Sequence, residues 1–225
     1  MQEIYTTTLK SNLNALENEI KESCLKAQRS SDSVKLIAVS KGQDFQKIVA
    51  AYNLGLRDFG ESYAQEFVLK REQAQKAGMN DIKWHFIGAI QTNKIKLISK
   101  AHFVHSIDSI SHAQSLSKVA PHNIGVFLQI NLSGDQGRHG FSEEEIIQEW
   151  PLVKQMDNLN FLGIMTILPL IPTKPHHYWF SKMQHLKRQI GNNIKLSMGM
   201  STDFSQAIIA GADFIRIGER LFGKR

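Results

Sequence analysis

Eight short apolar segments recur along the chain, and each is followed by a longer segment with apolar residues at helical spacing. Each apolar segment has the length and composition of a buried strand. Strands that alternate with helices in this way form a parallel sheet with right-handed crossovers. The apolar segments are residues 34–40, 56–60, 83–88, 102–107, 124–133, 161–167, 194–200 and 213–218.

Eight strand–helix units within 225 residues predict an α/β fold, a single-domain (β/α)8 TIM-type barrel near the small end of its size range. A doubly wound open sheet is the alternative, but it usually carries a glycine-rich turn after its first strand. Here residues 40–44, SKGQD, follow that strand. Residues 4–29 have helical spacing, which predicts an extra N-terminal helix packed on the barrel within residues 1–30. We find no linker or repeat and expect one domain over residues 1–225.

The composition and charge narrow the classes of protein and partner. Lys and Arg total 27 and Asp and Glu 21, so the net charge is +6, but no run of basic residues is longer than two. We therefore expect no nucleic-acid partner. The single cysteine, Cys24, excludes an internal disulfide and fits a reducing compartment. There is no signal-peptide pattern, membrane-length apolar run or metal-binding motif, so we expect a cytoplasmic protein with no membrane partner.

Two cationic side chains are predicted to point into the mouth of the barrel. Chemistry in such barrels lies where the strands end, and Lys41 ends the first strand. Alternate residues of a strand share a face, so Lys41 shares the face of Val39. Arg216 points inward if Ile215 packs on the helices, and the first and eighth strands are neighbours in a closed barrel. Two cations in one apolar mouth require an anion, or a neutral and therefore nucleophilic lysine.

The loops after the seventh and eighth strands carry the features of a phosphate site. Ser201 and Thr202 come just before a predicted helix, Asp203 lies in its first turn, and Gly218 precedes a short helical turn. Backbone N–H groups at such positions bind phosphate in many barrels of this type. A Schiff-base lysine, an inward-facing arginine and a phosphate site together describe one ligand, pyridoxal 5'-phosphate.

Each of these residues also has a purely structural interpretation. A lysine at a strand end is most often a solvated charge, and residues 201–203 could be a plain helix N-cap. Arg216 could pair with Glu61 or Glu219, and His85 could be a core histidine whose hydrogen bonds are satisfied. Their shared position at one predicted end of the barrel favours the functional interpretation.

Six motifs stand in the chain in this order: IAVSK, FGESYAQE, WHFIGAIQTNK, GIMTI, LSMGMSTDFSQAI and RIGERLFG. Together they resemble the pyridoxal 5'-phosphate homeostasis protein family, whose members are single-domain relatives of the N-terminal barrel of alanine racemase. The resemblance extends from about Val34 to Gly223.

The resemblance implies specific roles at the cofactor. Lys41 matches the lysine that forms the internal aldimine, and Arg216 matches the arginine that faces the pyridine nitrogen. Ser201 matches the phosphate site, together with backbone N–H groups around Gly218 and Glu219.

Four further positions follow from the resemblance with less direct roles. Thr202 stands beside Ser201, and His85 and Met165 match positions that line the cofactor pocket. Ser62 replaces the asparagine of the family's GEN motif after the second strand, so a polar contact to the cofactor ring is shortened or lost. Arg138 stands where the family commonly has a lysine; arginine keeps the charge but not the geometry, and we assign it no role.

These features favour a cofactor carrier over an enzyme. Arginine at the pyridine nitrogen leaves that nitrogen unprotonated and the ring a weak electron sink. Alanine racemase adds a second base from a C-terminal domain of the partner subunit, whereas this sequence ends at Arg225, just past the eighth strand. We therefore expect a monomer that carries or buffers pyridoxal 5'-phosphate for vitamin B6 homeostasis, without significant catalytic turnover and with apo-enzymes as candidate clients.

Two enzymatic alternatives stay open on the sequence alone. The first is a low-activity pyridoxal-phosphate enzyme such as an amino-acid racemase, for which Tyr63 would be the first candidate second base. The second is a Schiff-base aldolase with a phosphorylated sugar bound after the seventh and eighth strands. An aldolase lysine is generally expected on a later strand than the first, which counts against this alternative.

Overall fold

The eight predicted strands close into a barrel. A computed structural model describes residues 2–135, 137–169 and 173–224. Among these residues, eight parallel strands pair in chain order, and β1 also pairs with β8. This confirms the (β/α)8 architecture. The strands are β1 Lys35–Val39, β2 Asp58–Glu61, β3 Lys83–Phe86, β4 Phe103–Ile107, β5 Ile124–Ile130, β6 Leu159–Thr166, β7 Lys195–Ser197 and β8 Phe214–Ile217.

Helices occupy the connections between the strands. Some of these helices begin at a side-chain cap: Asp44 accepts a hydrogen bond from the Gln46 amide at the start of α2, and Ser142 forms a capping box with Glu145 at the start of α6. The helices are α1 Gln2–Lys26, α2 Phe45–Asn53, α3 Ala64–Lys76, α4 Ile95–Ile98, α5 Ile110–Val119, α6 Glu143–Lys154, α7 His176–Ile190, α8 Phe204–Ile209 and α9 Glu219–Phe222, with 3-10 turns at Ser31–Ser33 and Thr92–Lys94.

The predicted N-terminal helix is present and packs on the outside of the barrel. Helix α1 contacts α2, α8 and α9. Its apolar stripe is buried, because leucine and isoleucine recur every three or four residues and so face the same neighbours. The Asn12 side-chain amide donates to the Leu221 carbonyl oxygen, and Arg220 pairs with Glu19. The buried stripe residues are Leu9, Leu13, Leu16 and Ile20.

Strand pairing confirms the predicted direction of the inward side chains. Ile37 of β1 is opposite Arg216 of β8, so the two residues lie on the same face. Ile215 and Ile217 instead belong to the apolar layer between the strands and the helices. Deeper in the barrel, Phe214 contacts the rings of Phe103 and Phe127, and these aromatic rings help to fill the interior below the mouth.

Across the described ranges, every helix is either too short or too polar to cross a lipid bilayer.

Candidate functional site

A cavity of about 470 Å³ opens at the mouth of the barrel. This is within the usual range for small-molecule sites. Its wall includes every predicted site residue except His85 and Met165. These wall residues are Lys41, Ser62, Ser201, Thr202, Arg216, Gly218 and Glu219. The loops after β1, β2, β7 and β8 therefore converge as the sequence indicated.

Lys41 stands on a short loop that is fixed to β2 and α3. The Ser40 hydroxyl donates to Glu61 Oε1 at 2.6 Å, and the Ser40 carbonyl accepts from Lys70 Nζ at 2.6 Å. On the other side of Lys41, the Gly42 amide donates to Glu66 Oε1 at 2.7 Å. Gly42 has φ +68°, a conformation that favours glycine. The backbone on both sides of Lys41 is thus held by hydrogen bonds.

The carboxylate that holds this loop is itself deeply buried. Glu61 is fully buried, and its Oε1 atom also accepts from Lys70 Nζ at 2.9 Å. Its Oε2 atom has no partner among the described residues. Burial raises the pKa of Glu61, opposed by the charge of Lys70. The suggested pairing of Glu61 with Arg216 is therefore wrong, because Lys70 occupies the Glu61 carboxylate.

Arg216 is a buried cation held by neutral oxygen atoms. Its Nη1 atom donates to the Ser197 hydroxyl and its Nη2 atom to the Thr166 carbonyl, both at 2.8 Å. Burial lowers the pKa of Arg216 to about 10, with Asp203 acting in the opposite direction. The guanidinium therefore stays charged at neutral pH, while both hydrogen bonds fix its plane in the cavity wall.

The loops after β7 and β8 offer hydrogen-bond donors that the protein does not use. In the part of the chain that the structure describes, the amides of Ser201, Thr202 and Gly218 donate to no other protein group, and neither do the hydroxyls of Ser201 and Thr202. All three residues line the cavity. Asp203 shapes the loop after β7, because its Oδ1 atom accepts from the Met200 amide at 2.5 Å. Donors grouped in this way suit an anion such as phosphate.

Comparison with known proteins gives the family. Residues 11–225 match the family described as the N-terminal domain of alanine racemase. The pyridoxal phosphate homeostasis protein of Synechocystis is 39% identical over 204 residues, which cover 86% of this chain and 92% of the relative. The chain belongs to the pyridoxal phosphate homeostasis protein family.

Solved structures share the fold of this chain. PipY of Synechococcus elongatus, solved with pyridoxal phosphate bound, has a TM-score of 0.77 and 32% identity, and the match covers 91% of this chain and all of PipY. An unknown protein from Bifidobacterium adolescentis has a TM-score of 0.89 and 25% identity, with coverage of 98% and 97%.

His85 and Met165 are corrections to the predicted site. Both are fully buried, and neither lines the cavity. His85 is hydrogen-bonded instead to Asp58 at 2.9 Å, below the mouth. The residues two positions later, Ile87 and Ile167, form the cavity wall instead. The alternation of strand residues repeats every two positions and does not say which repeat reaches the mouth.

Two smaller cavities open beside the main one, so the mouth of this family member is wide. One, of about 380 Å³, shares Lys41 and Ser62 with the main cavity and adds Tyr63 and Lys94. The other, of about 260 Å³, includes Arg138, whose Nη2 atom donates to the Leu168 carbonyl. Ile87 and Ile167 border all three cavities.

One glycine makes the wall beside Ser62 possible. A Cβ atom added to Gly88 would lie 1.9 Å from the Ser62 carbonyl oxygen. Only glycine therefore lets the loop after β3 approach the loop after β2 this closely.

Proposed function

We propose that this protein binds pyridoxal 5'-phosphate at the barrel mouth and carries or buffers it, without significant turnover of amino acids. The observation that carries the proposal is the convergence of Lys41, Arg216 and the unused donors of Ser201, Thr202 and Gly218 on one cavity. Support also comes from the names of the relatives and from the pyridoxal phosphate bound to PipY.

The residues present fit the chemical groups of this cofactor. Its aldehyde condenses reversibly with a primary amine, with loss of water, which is the chemistry that Lys41 would use. The hydroxyls and amides of the loop at Ser201 and Thr202 would hold the phosphate. Arg216 would face the pyridine nitrogen, where a group that cannot accept a proton keeps that nitrogen unprotonated. Ser62 and Glu219 would complete the wall.

Lys41 is tested by chemical trapping. Borohydride reduction of the protein loaded with pyridoxal 5'-phosphate, followed by peptide mass mapping, should place the mass of the reduced cofactor on Lys41. Lys41→Ala should remove the label, whereas Lys94→Ala should keep it, because Lys94 lines only the neighbouring cavity. Label on Lys94 or Lys35 of the unaltered protein, or no label, would contradict the proposal.

The carrier role is separated from the enzymatic alternative by proton exchange. Racemisation needs an acid–base group on each face of the α-carbon. Lys41 serves one face, and each such group typically contributes 10²–10⁴-fold. We therefore expect at most a trace of α-deuteration when the loaded protein is incubated with L- or D-alanine in deuterated water.

One residue keeps a low-activity enzyme as a second candidate. Tyr63 lines the neighbouring cavity together with Lys41, and its side chain is well exposed. Exchange at an ordinary enzymatic rate, on the order of 1–10³ per second, that is lost in Tyr63→Phe would replace the carrier proposal with this one.

The carrier proposal also includes the partners of the protein and its location in the cell. We propose a cytoplasmic monomer that hands the cofactor to apo-enzymes. Sedimentation of the loaded protein should give the mass of a single chain, and an apo-enzyme should gain activity faster from the loaded protein than from the same total concentration of free cofactor. Equal rates would argue for storage without delivery.

A further inference from the structure

A chain of hydrogen bonds crosses the barrel interior below the cavity. Asp58 Oδ1 lies 2.9 Å from His85 Nε2, and His85 Nδ1 lies 2.9 Å from His105 Nε2. His105 Nδ1 lies 2.9 Å from the Ser197 hydroxyl oxygen, which accepts from Arg216 Nη1 at 2.8 Å. This hydrogen-bond chain thus joins a partly buried carboxylate at the start of β2 to the guanidinium in the cavity wall.

The interior holds both imidazole rings in place and keeps them neutral. His85 stacks on Phe103 with ring centroids 4.5 Å apart, and His105 stacks on Phe127 at 4.4 Å. Burial lowers the pKa of His85, and it lowers the pKa of His105 well below the usual value, with the charge of Arg216 acting in the same direction.

The protonation state of Asp58 determines which nitrogen of each imidazole ring carries the proton. Burial acts to raise the pKa of Asp58, but the hydrogen bond from His85 and the charge of Lys35 together bring the pKa below its ordinary value, so Asp58 is ionised. A carboxylate only accepts hydrogen bonds, so His85 Nε2 carries the proton. A neutral ring has one N–H group, so His85 Nδ1 is an acceptor and His105 Nε2 must donate to it.

The hydrogen bonds between His105 and the cavity wall have their donors and acceptors fixed in the same way. Because His105 is neutral and protonated on Nε2, its Nδ1 atom is an acceptor, and the Ser197 hydroxyl must donate to it. The Ser197 oxygen then has its lone pairs available to accept from Arg216. Every group in the chain is satisfied by one direction of donation, which runs from Arg216 through Ser197, His105 and His85 to Asp58.

The opposite direction would break the chain at both ends. If His85 carried its proton on Nδ1, the bare Nε2 atom would face an ionised Asp58 oxygen at 2.9 Å. At the other end, His105 and Arg216 would both donate to Ser197, whose own proton would then have no acceptor in the chain. Unpaired buried polar groups of this kind are strongly disfavoured, because each loses its hydrogen bonds to water without gaining a partner.

We propose that Asp58, His85, His105 and Ser197 are positioning residues that orient the Arg216 guanidinium through this one-way chain. Asp58 fixes the tautomers, the tautomers fix the Ser197 hydroxyl, and Ser197 together with the Thr166 carbonyl holds the guanidinium plane. The relevance of this orientation to the pyridine ring rests on the proposed function, whereas the chain itself is a property of the protein alone.

The tautomers can be measured in the full-length ¹⁵N-labelled protein without any ligand. Long-range ¹H–¹⁵N correlation spectra distinguish the two neutral imidazole tautomers and the charged ring. We expect both His85 and His105 to be neutral with the proton on Nε2. His85→Gln and His105→Phe assign the signals, and the exposed His177 supplies the control variant His177→Gln. A proton on Nδ1 of either ring, or a charged ring, at neutral pH would overturn the proposal.

The effect on Arg216 needs a second measurement. Slow rotation of a guanidinium held at both Nη atoms gives resolved Nη signals, and we expect them for Arg216 in the unaltered protein. Ser197→Ala and His105→Phe should merge them by faster rotation, Ser197→Thr should keep them because it retains the hydroxyl, and His177→Gln should leave them unchanged. Resolved signals in both Ser197→Ala and His105→Phe would show that the chain does not position Arg216.

Ligand binding distinguishes a failure of this inference from a failure of the proposed function. Pyridoxal 5'-phosphate binding is followed by its absorbance. Ser197→Ala should bind about tenfold more weakly, and Ser197→Thr should recover most of the loss. If the unaltered protein does not bind the cofactor, the proposed function fails, but the tautomer measurement still tests the hydrogen-bond chain. If it binds and Ser197→Ala binds equally well, the orienting role fails alone.

Discussion

Single residues at the cavity separate into those that carry a charge and those that offer hydrogen-bond donors. Arg216 keeps its charge in a buried position because two neutral oxygens accept from it. Ser201 and Thr202 instead contribute unused donors to the cavity wall. We expect the first kind of residue to determine how the ring is held and the second how the phosphate is held.

Ser201 gives a prediction at this scale. A hydrogen bond to a charged group is worth roughly 1.5–3 kcal/mol, so Ser201→Ala should weaken the binding of pyridoxal 5'-phosphate by about tenfold or more. Binding of unphosphorylated pyridoxal should hardly change, because it lacks the anion. Titrations followed by absorbance compare the two ligands, with Ser205→Ala on the next helix as the control. Equal losses for both ligands would show that Ser201 does not contact the phosphate.

At the scale of elements, the loop that carries Lys41 depends on one helix. Lys70 of α3 lies almost completely buried and donates to the Ser40 carbonyl, to Glu61 and to Glu66. The bonds to Ser40 and Glu61 join α3 to the ends of β1 and β2, and the bond to Glu66 lies within α3. The charge of Lys70 also compensates the buried carboxylate of Glu61.

Removal of the Lys70 charge alone should therefore lower the free energy of unfolding more than removal of both the Lys70 and the Glu61 charges. Lys70→Met leaves Glu61 as an uncompensated buried charge, and we expect the free energy of unfolding to fall by about 3–5 kcal/mol. The double variant Glu61→Leu/Lys70→Met should be more stable than Lys70→Met, since two apolar side chains need no charge partner. Urea unfolding measures both, with the exposed Lys76→Met as a control expected within about 0.5 kcal/mol of the unaltered protein. A double variant less stable than Lys70→Met would contradict this account.

At the scale of the whole molecule, the buried histidines couple folding to pH. His105 stays neutral in the folded state, because burial lowers its pKa well below the usual value. In the unfolded chain it takes up a proton near its ordinary pKa of about 6.5. Below that pH the unfolded state binds the extra proton, so the contribution of His105 to stability is lost as pH falls. The loss is at most about 1.4 kcal/mol per pH unit.

The variant His105→Phe tests this effect. It keeps a ring to stack on Phe127 and cannot be protonated, so its free energy of unfolding should fall less between pH 7 and pH 5 than that of the unaltered protein. Urea unfolding at both pH values gives the comparison. Glu61, whose pKa is raised in the folded state, changes stability in the opposite direction over part of this range, but it contributes equally to both proteins and cancels. An identical pH dependence in both would show that His105 is not a buried neutral group.

Much of the architecture and part of the site follow from the sequence alone. Apolar periodicity and strand–helix alternation are local properties of the chain, so the eight strands, the N-terminal helix and the shared face of Lys41 and Arg216 could be predicted. Strand ends were less exact: β7 stops at Ser197, whereas residues 194–200 were predicted as strand. The extra residues bend into the loop that carries Ser201, since that loop turns to form the cavity wall.

The height of each residue within the barrel and its hydrogen-bond partners were decided only by the tertiary structure. His85 and Met165 are buried outside the cavity, because the stagger of tilted strands in a closed barrel sets the height of each residue. Nothing local in the sequence pairs Glu61 with Lys70, or joins Asp58, His85, His105 and Ser197 to Arg216. Glu61 and Lys70 meet because α3 packs against β2. The other contacts join residues that are distant in the chain, and they exist because barrel closure brings β2, β3, β4, β7 and β8 around one interior in which most buried polar groups find a partner.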